Sequence, residues 1–509
     1  MSTLYRGGLV YSPADPRATA MVVADGRIAW LGPDDQAPDT ADTVVDLDGA
    51  LVTPAFVDAH VHATNTGLAL TGLDLGGVRS GAELLDAVAS HARTLPSAAV
   101  LLGFGWDEST WDDRRLPTTP ELDRAAGGRI ALLSQKSMHS ALCSSALIAA
   151  AGPQLATEPG FDPAGWVRRG AHHTVRSVAL GSLTSAQRRA AQEATLRHAA
   201  SLGIVAVHEC AGPVISSEDD LIDLLGLSST ERALPEVYGY WGELMGAEKA
   251  KELGAVGAGG DLFADGALGA RTAHLRESYV DDETSGFGYL STDEVTRHIV
   301  DCVGRGVQGG FHAIGDEALR TVIAGYRAAA AEVGLERLRA GRHRIEHVEL
   351  VDKAMIAGLV ELGLVASMQP AFDRLWGGDR QMYVQRLGPA RSLESNPMGA
   401  MHGVGVTLAF GSDAPVTPLD PWGSVRAAVW HHNPAYRMSV RAAFAAHTRG
   451  GWRAVHQDDH GVLAPGAPAT FAIWSSTPGT TALPTLDPGD ELPAARATVL
   501  RGVTLHESA

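Results

Sequence analysis

The 509-residue chain is 45% hydrophobic and 20% charged, which supplies a large apolar core and excludes a disordered chain. Its 41 Lys and Arg against 59 Asp and Glu leave a net charge of −18, which works against attraction to phosphate backbones and anionic membranes, so neither is expected as a partner. The opening MSTLYRGGLVYSPADP lacks the basic start and apolar core of a signal peptide, and no run of ~18 uncharged apolar residues occurs, so a cytoplasmic protein is expected.

Residues 1 to 53 carry short β-rich runs, LVY, AMVVADGRIAWLG and DTVVDLDGALVTP, broken by Asp25-Gly26 and Asp48-Gly49, a pairing that signals hairpins. The same texture returns near the C-terminus in GVLAPGAPATFAIW and ARATVLRGVTLHE. We therefore expect residues 1–53 and 458–509 to form one composite β-sandwich. Between them, residues 54–457 alternate strands with helices. An insertion at about 75–185 interrupts this rhythm with a Trp/Gly/Pro-rich stretch and strand-like pieces such as GWVRRGAHHTVRSVAL. After it, a helix over 185–201 stops at Gly203 and feeds IVAVHE. Ser291 and Glu294 form a capping box that starts a helix feeding VQGGFHAIGD. Helices ending at Gly334 and Gly363 feed HRIEHVEL and LVASMQP, and a short helix after Pro397 feeds VTLAFGSDAP. Such alternation predicts an α/β fold, a (β/α)8 TIM-like barrel whose chemistry sits at the C-terminal ends of its strands.

The candidate ligands fall at those ends. In FVDAHVHA, His60 and His62 are two apart on a strand and project from the same face. His312, His347 and Asp413 end three further strands. Each alone could be an ordinary buried histidine or a turn aspartate; five at one predicted level of one barrel argue for a shared ion. Imidazole plus carboxylate without cysteine favours zinc and permits manganese, iron or nickel. Cys143, Cys210 and Cys302 are scattered, form no CxxC pair and read as reduced thiols.

VTPAFVDAHVHA, LFADGALGARTA, FHAIGD, RIEHVE and GSDAPVTPLDPW together resemble the amidohydrolase superfamily, specifically the branch of N-substituted formamide deformylases. GFGWDESTW, PTTPELDRA and MHSALCSSAL resemble that branch's insertion, and the β-rich ends its split sandwich. The resemblance implies a metal-dependent hydrolase that cleaves a carbon–nitrogen bond of a small amide-type substrate by activated water. Aminohydrolase action on a ring amine and a noncatalytic scaffold are the alternatives, and a homodimer is compatible with the sequence. Asp413 would move protons, and His347 would act as a ligand or as an electrophile beside the ion.

In one respect the sequence departs from that branch, which carries a lysine four residues before the aspartate of the DG pair, where this chain has Asp261. Either an acid such as Asp261 joins two ions, or one ion is held by His60, His62, His312 and Asp413; the one-ion arrangement is the expectation. Asp265 and Arg271 face the substrate by resemblance. His139 and Trp106, in the insertion, are further candidates for the pocket. His208 and Glu209 are expected to support it through hydrogen bonds. His172, His173, His431 and His432 are expected at the surface.

Overall fold

The computed structural model describes residues 2–38, 40–136, 140–475 and 483–508. The chain divides into two compact units, Met1–His62 with Leu196–Ala509, and Ala63–Thr195.

The larger unit is built on eight parallel strands in chain order: Phe56–Val61, Ile204–Ala211, Glu236–Trp241, Gly257–Ala258, Gln308–Ala313, Arg344–His347, Val365–Met368 and Thr407–Phe410. The last meets the first through backbone bonds just beyond its end: the Asp413 N–H donates to His60 O at 2.8 Å, and the His62 N–H to Ala414 O at 2.9 Å. This closes a TIM-like barrel. The helices that return the chain follow the local signals. Ser291 and Glu294 form the capping box of the helix Thr292–Arg305, and Gly306, at φ 68°, ends it in the left-handed conformation that glycine takes without a Cβ penalty. Gly203, at φ +79°, allows an approach that no side chain could: a Cβ there would lie 2.2 Å from the Trp474 ring. No helix among the described residues is long and apolar enough to cross a membrane.

Two further sheets are built from the chain's ends, the first from N-terminal strands alone and the second from strands of both ends. One has the order Arg27–Gly32, Ala20–Ala24, Ser2–Arg6, Thr43–Asp46, and the other Leu9–Val10, Leu51–Pro54, Phe471–Trp474, Ala495–Leu500, Val503–Glu507. Met21, Val23 and Ile28 of the first pack with Val52, Phe471, Ile473 and Val499 of the second. Asp25-Gly26 makes the expected hairpin, with both residues at positive φ. Asp48-Gly49 has the same backbone geometry, yet its flanking strands belong to different sheets, so it is a crossing between layers and not a hairpin.

The smaller unit holds a five-stranded sheet ordered Trp166–Arg168, Ser140–Cys143, Ala131–Gln135, Leu101–Trp106, Leu73–Asp74. GWVRRGAHHTVRSVAL, read as strand-like, is strand only over Trp166–Arg168 and continues as the helix Arg169–Gly181. Its buried residues Ala171, Val175 and Ala179 recur every four positions, a helical period. The expectation that Trp106 walls a substrate pocket is corrected here: its ring is fully buried in this unit's core and its indole N–H donates to Leu133 O at 2.8 Å, leaving no surface for a ligand. His172, expected at the surface, is also buried.

Candidate metal centre

Five strands bring ionisable side chains to one end of the barrel. The anchor is Asp261, three residues beyond the short fourth strand and buried. Its Oδ1 lies 3.5 Å from His60 Nε2, 3.4 Å from His312 Nδ1 and 3.6 Å from His347 Nε2, and its Oδ2 lies 3.2 Å from His62 Nε2. Asp413 completes the set, with Oδ1 at 3.6 Å from His60 Nε2 and 3.2 Å from His62 Nε2. Four imidazoles thus share Asp261, and His60 and His62 also share Asp413. Asp413 stands at φ 56°, a left-handed backbone that non-glycine residues adopt at a cost.

The atoms that face inward have nothing else to bind. His60 Nε2, His312 Nδ1, Asp261 Oδ1 and Asp413 Oδ1 are buried without a hydrogen-bond partner, an arrangement that is costly in a folded core and ordinary for ligand atoms. Three of the four rings are fixed from behind, which sets the tautomer that offers a lone pair inward. His60 Nδ1 meets Glu346 Oε2 at 2.9 Å, His347 Nδ1 meets Gln369 Oε1 at 2.8 Å, and His312 Nε2 meets the Gly266 carbonyl at 3.2 Å. These residues fit a divalent cation in donor type, burial and orientation. Electrostatics agree. Burial works against charge on His62, but hydrogen bonds and charge from Asp261 and Asp413 hold its pKa up at about 10. Burial likewise opposes ionisation of Asp261, and the surrounding imidazoles outweigh it, depressing its pKa well below the carboxylate range.

Behind His60 lies a charged network inside the barrel that the sequence reading missed. Arg344 is fully buried and binds Glu346 through Nε at 2.5 Å and Nη2 at 2.7 Å; it also reaches Ala59 O, Ser367 and His208 Nδ1 and covers the Tyr240 ring. Burial alone would raise the Glu346 pKa; the Arg344 charge and the His60 bond bring it down to about 2. The available signal was RIEH itself: Arg344 and Glu346 alternate with Ile345 and His347, so both charges point to one face of an interior strand. Glu349 was missed as well. It is buried with its pKa pushed up to about 7 by burial, and it accepts a hydrogen bond from the Tyr383 hydroxyl.

Three expectations are corrected and one falls outside the described residues. Asp265 is not a substrate-facing group: it is fully buried, and its two oxygens accept the backbone N–H groups of His274 at 2.8 Å, Ile314 at 3.0 Å and Gly315 at 2.8 Å. It pins the loop after His312. Arg271 is committed to Asp281, through Nε at 3.1 Å and Nη2 at 2.8 Å, and Arg386 binds the same carboxylate. His431, expected at the surface, is fully buried with Nε2 3.1 Å from Asp373, which also binds His432. His139 lies outside the described residues.

A closed parallel barrel with this set of histidines and aspartates at its strand ends defines a metal-dependent hydrolase class. The chain belongs to the amidohydrolase family, whose model matches residues 43–506. It is 27% identical to YtcJ of Bacillus subtilis (strain 168) over 561 residues, covering all of both chains. Among solved structures it is similar to an uncharacterized metal-dependent hydrolase from Pyrococcus furiosus, with a TM-score of 0.79 and 28% identity over 93% of this chain and 98% of that one. The finer resemblance is narrower than the sequence motifs suggest. N-substituted formamide deformylase of Arthrobacter pascens is 30% identical over 138 residues, 26% of this chain and 25% of that protein, which does not place this chain in that branch.

Proposed function

We propose that this protein hydrolyses the carbon–nitrogen bond of a small amide-type substrate, N-substituted formamides included, with divalent cations held by His60, His62, Asp261, His312, His347 and Asp413. The observation that carries this reading is the set of buried, unpartnered nitrogen and oxygen atoms converging on Asp261. The chemistry of the donors favours zinc, and a bound zinc lowers the pKa of water and polarises a carbonyl. Six protein ligands on one such ion would leave no open position, whereas catalytic sites keep one. Two ions would divide these residues between them, with Asp261 facing all four imidazoles, in place of the single ion expected from sequence.

The chain's own residues supply the rest of the reaction. Asp413, at the rim of the set, accepts the proton of the attacking water and returns it to the departing nitrogen. Glu346 keeps His60 in the Nδ1–H form, and Gln369 does the same for His347. Amide hydrolysis needs this division: one group to move the proton, and rigid groups that do not compete for it.

The test is metal content of the purified chain by mass spectrometry, followed by a screen of N-formyl, N-acyl and cyclic amides and of ring amines. About two equivalents of metal and release of carboxylate and amine are expected. A chain that binds no divalent metal sinks the enzyme reading; ammonia release from ring amines alone replaces amide hydrolysis with deamination.

A further inference from the structure

The smaller unit holds a cavity of about 730 Å³ whose lining includes Trp166, Arg168, Arg169, His172 and His173 and no acidic residue. Trp166 and Arg168 are two apart on the strand Trp166–Arg168 and project from the same face, and the Arg168 guanidinium carbon sits 4.4 Å from the centre of the Trp166 ring. Stacking holds the planar guanidinium and leaves its N–H edge for a ligand. Arg169 would point to the opposite face if the strand continued. Its backbone instead turns to φ 52°, a left-handed conformation that costs a residue with a side chain, and begins the helix Arg169–Gly181. The turn brings both arginines to one cavity, and His172 and His173, on the next turn of the helix, share the face of Arg169.

This concentration of cations runs against the rest of the chain. Acids exceed bases by 59 to 41, and within the same unit Arg115 binds Glu121 at 2.7 Å and Arg189 binds Glu193 at 3.1 Å. Neither Arg168 nor Arg169 forms an ion pair among the described residues. No acid stands in the first turn of the helix they begin, so both charges gather at the positive end of a helix dipole, where cations are disfavoured. Glu158 comes near at Gly170, where a Cβ would lie 2.8 Å from its Oε2, yet it neither lines the cavity nor pairs with either arginine. Two adjacent guanidinium groups on one cavity wall without a counter-charge lack the partner that an anion supplies.

We propose that this cavity is a binding site for a small oxyanion, the carboxylate or phosphoryl group of an organic ligand, received between Arg168 and Arg169. None of its residues belongs to the candidate metal centre, so the site is a second one. Benzoate, phosphate and benzamide, the neutral counterpart of benzoate, are titrated into the full chain at constant ionic strength and followed by calorimetry. Arg168→Gln and Arg169→Gln each remove one cavity charge, and both positions are exposed, so the core is untouched. Arg115→Gln removes the same charge from an exposed position of the same unit outside the cavity. Wild type is expected to bind benzoate or phosphate and not benzamide, and whichever anion binds more tightly names the group. Arg168→Gln and Arg169→Gln should each weaken that anion about tenfold or more, the size of a lost charge-assisted hydrogen bond, while Arg115→Gln stays within about twofold of wild type. A wild type that binds neither anion, benzamide bound as tightly as benzoate, or equal weakening by Arg115→Gln overturns the site. So does anion binding that neither cavity substitution weakens, which puts the anion elsewhere on the chain.

Discussion

Asp413 and His60 both face the same buried point but carry different burdens. Asp413→Asn preserves size and one oxygen, so metal content should stay near that of wild type while turnover of any hydrolysed amide falls by roughly 10²-fold or more, the scale of a lost general base. His60→Ala should lose metal and activity together. Glu346 acts one step back: Glu346→Gln keeps a hydrogen-bonding atom for His60 but removes the charge that stabilises its Nδ1–H, and metal affinity read by competition with a chelator should fall by about 10- to 100-fold. Its partner offers a stability readout. Arg344→Met strands the Glu346 carboxylate, fully buried, and should destabilise the chain by about 3–5 kcal/mol in denaturant unfolding. Arg344→Met with Glu346→Leu removes both charges and should recover much of that loss.

Among the elements, legibility followed how local the deciding physics is. The helix over Ser185–Ser201 and the one begun by Ser291 were readable because caps and glycine stops are written within four residues of the boundary. Ser291→Ala tests this, with an expected loss of about 1 kcal/mol, measured by thermal unfolding. The fourth barrel strand, only Gly257–Ala258, carries no periodicity to read. The helix Arg169–Gly181 hid behind a β-branched pair and a histidine pair that looked exposed. The candidate ligands stood out because histidine at a strand end is conspicuous. Arg344 and Glu346 did not, because a charge inside a barrel looks forbidden until its partner from the same strand is seen. Asp265 could be seen as important but not for what, since its three backbone partners come from segments 9 to 50 residues away.

For the whole molecule, the clustered imidazoles tie stability to pH and to metal in opposite senses. The raised His62 pKa contributes stability that is fully present below its ordinary value near 6.5 and is lost as pH rises through about 10. Metal needs neutral imidazole, so the chelated chain should lose stability across this window while the stabilisation conferred by added zinc grows. Melting curves from pH 6 to 9, with chelator and with zinc, check this; a zinc effect that shrinks with rising pH would contradict it. The seam that closes the barrel extends the same coupling to synthesis. Ser412 donates its N–H to Asp58 across 354 residues, and the neighbouring bonds join Asp413 to His60. The first histidine pair therefore leaves the ribosome long before its aspartate partner exists, and the centre is completed only when nearly the whole chain has been made. The full ligand set therefore exists only once residue 413 has been made, and a chain truncated before it should hold metal more weakly than the full chain although both carry all four histidines.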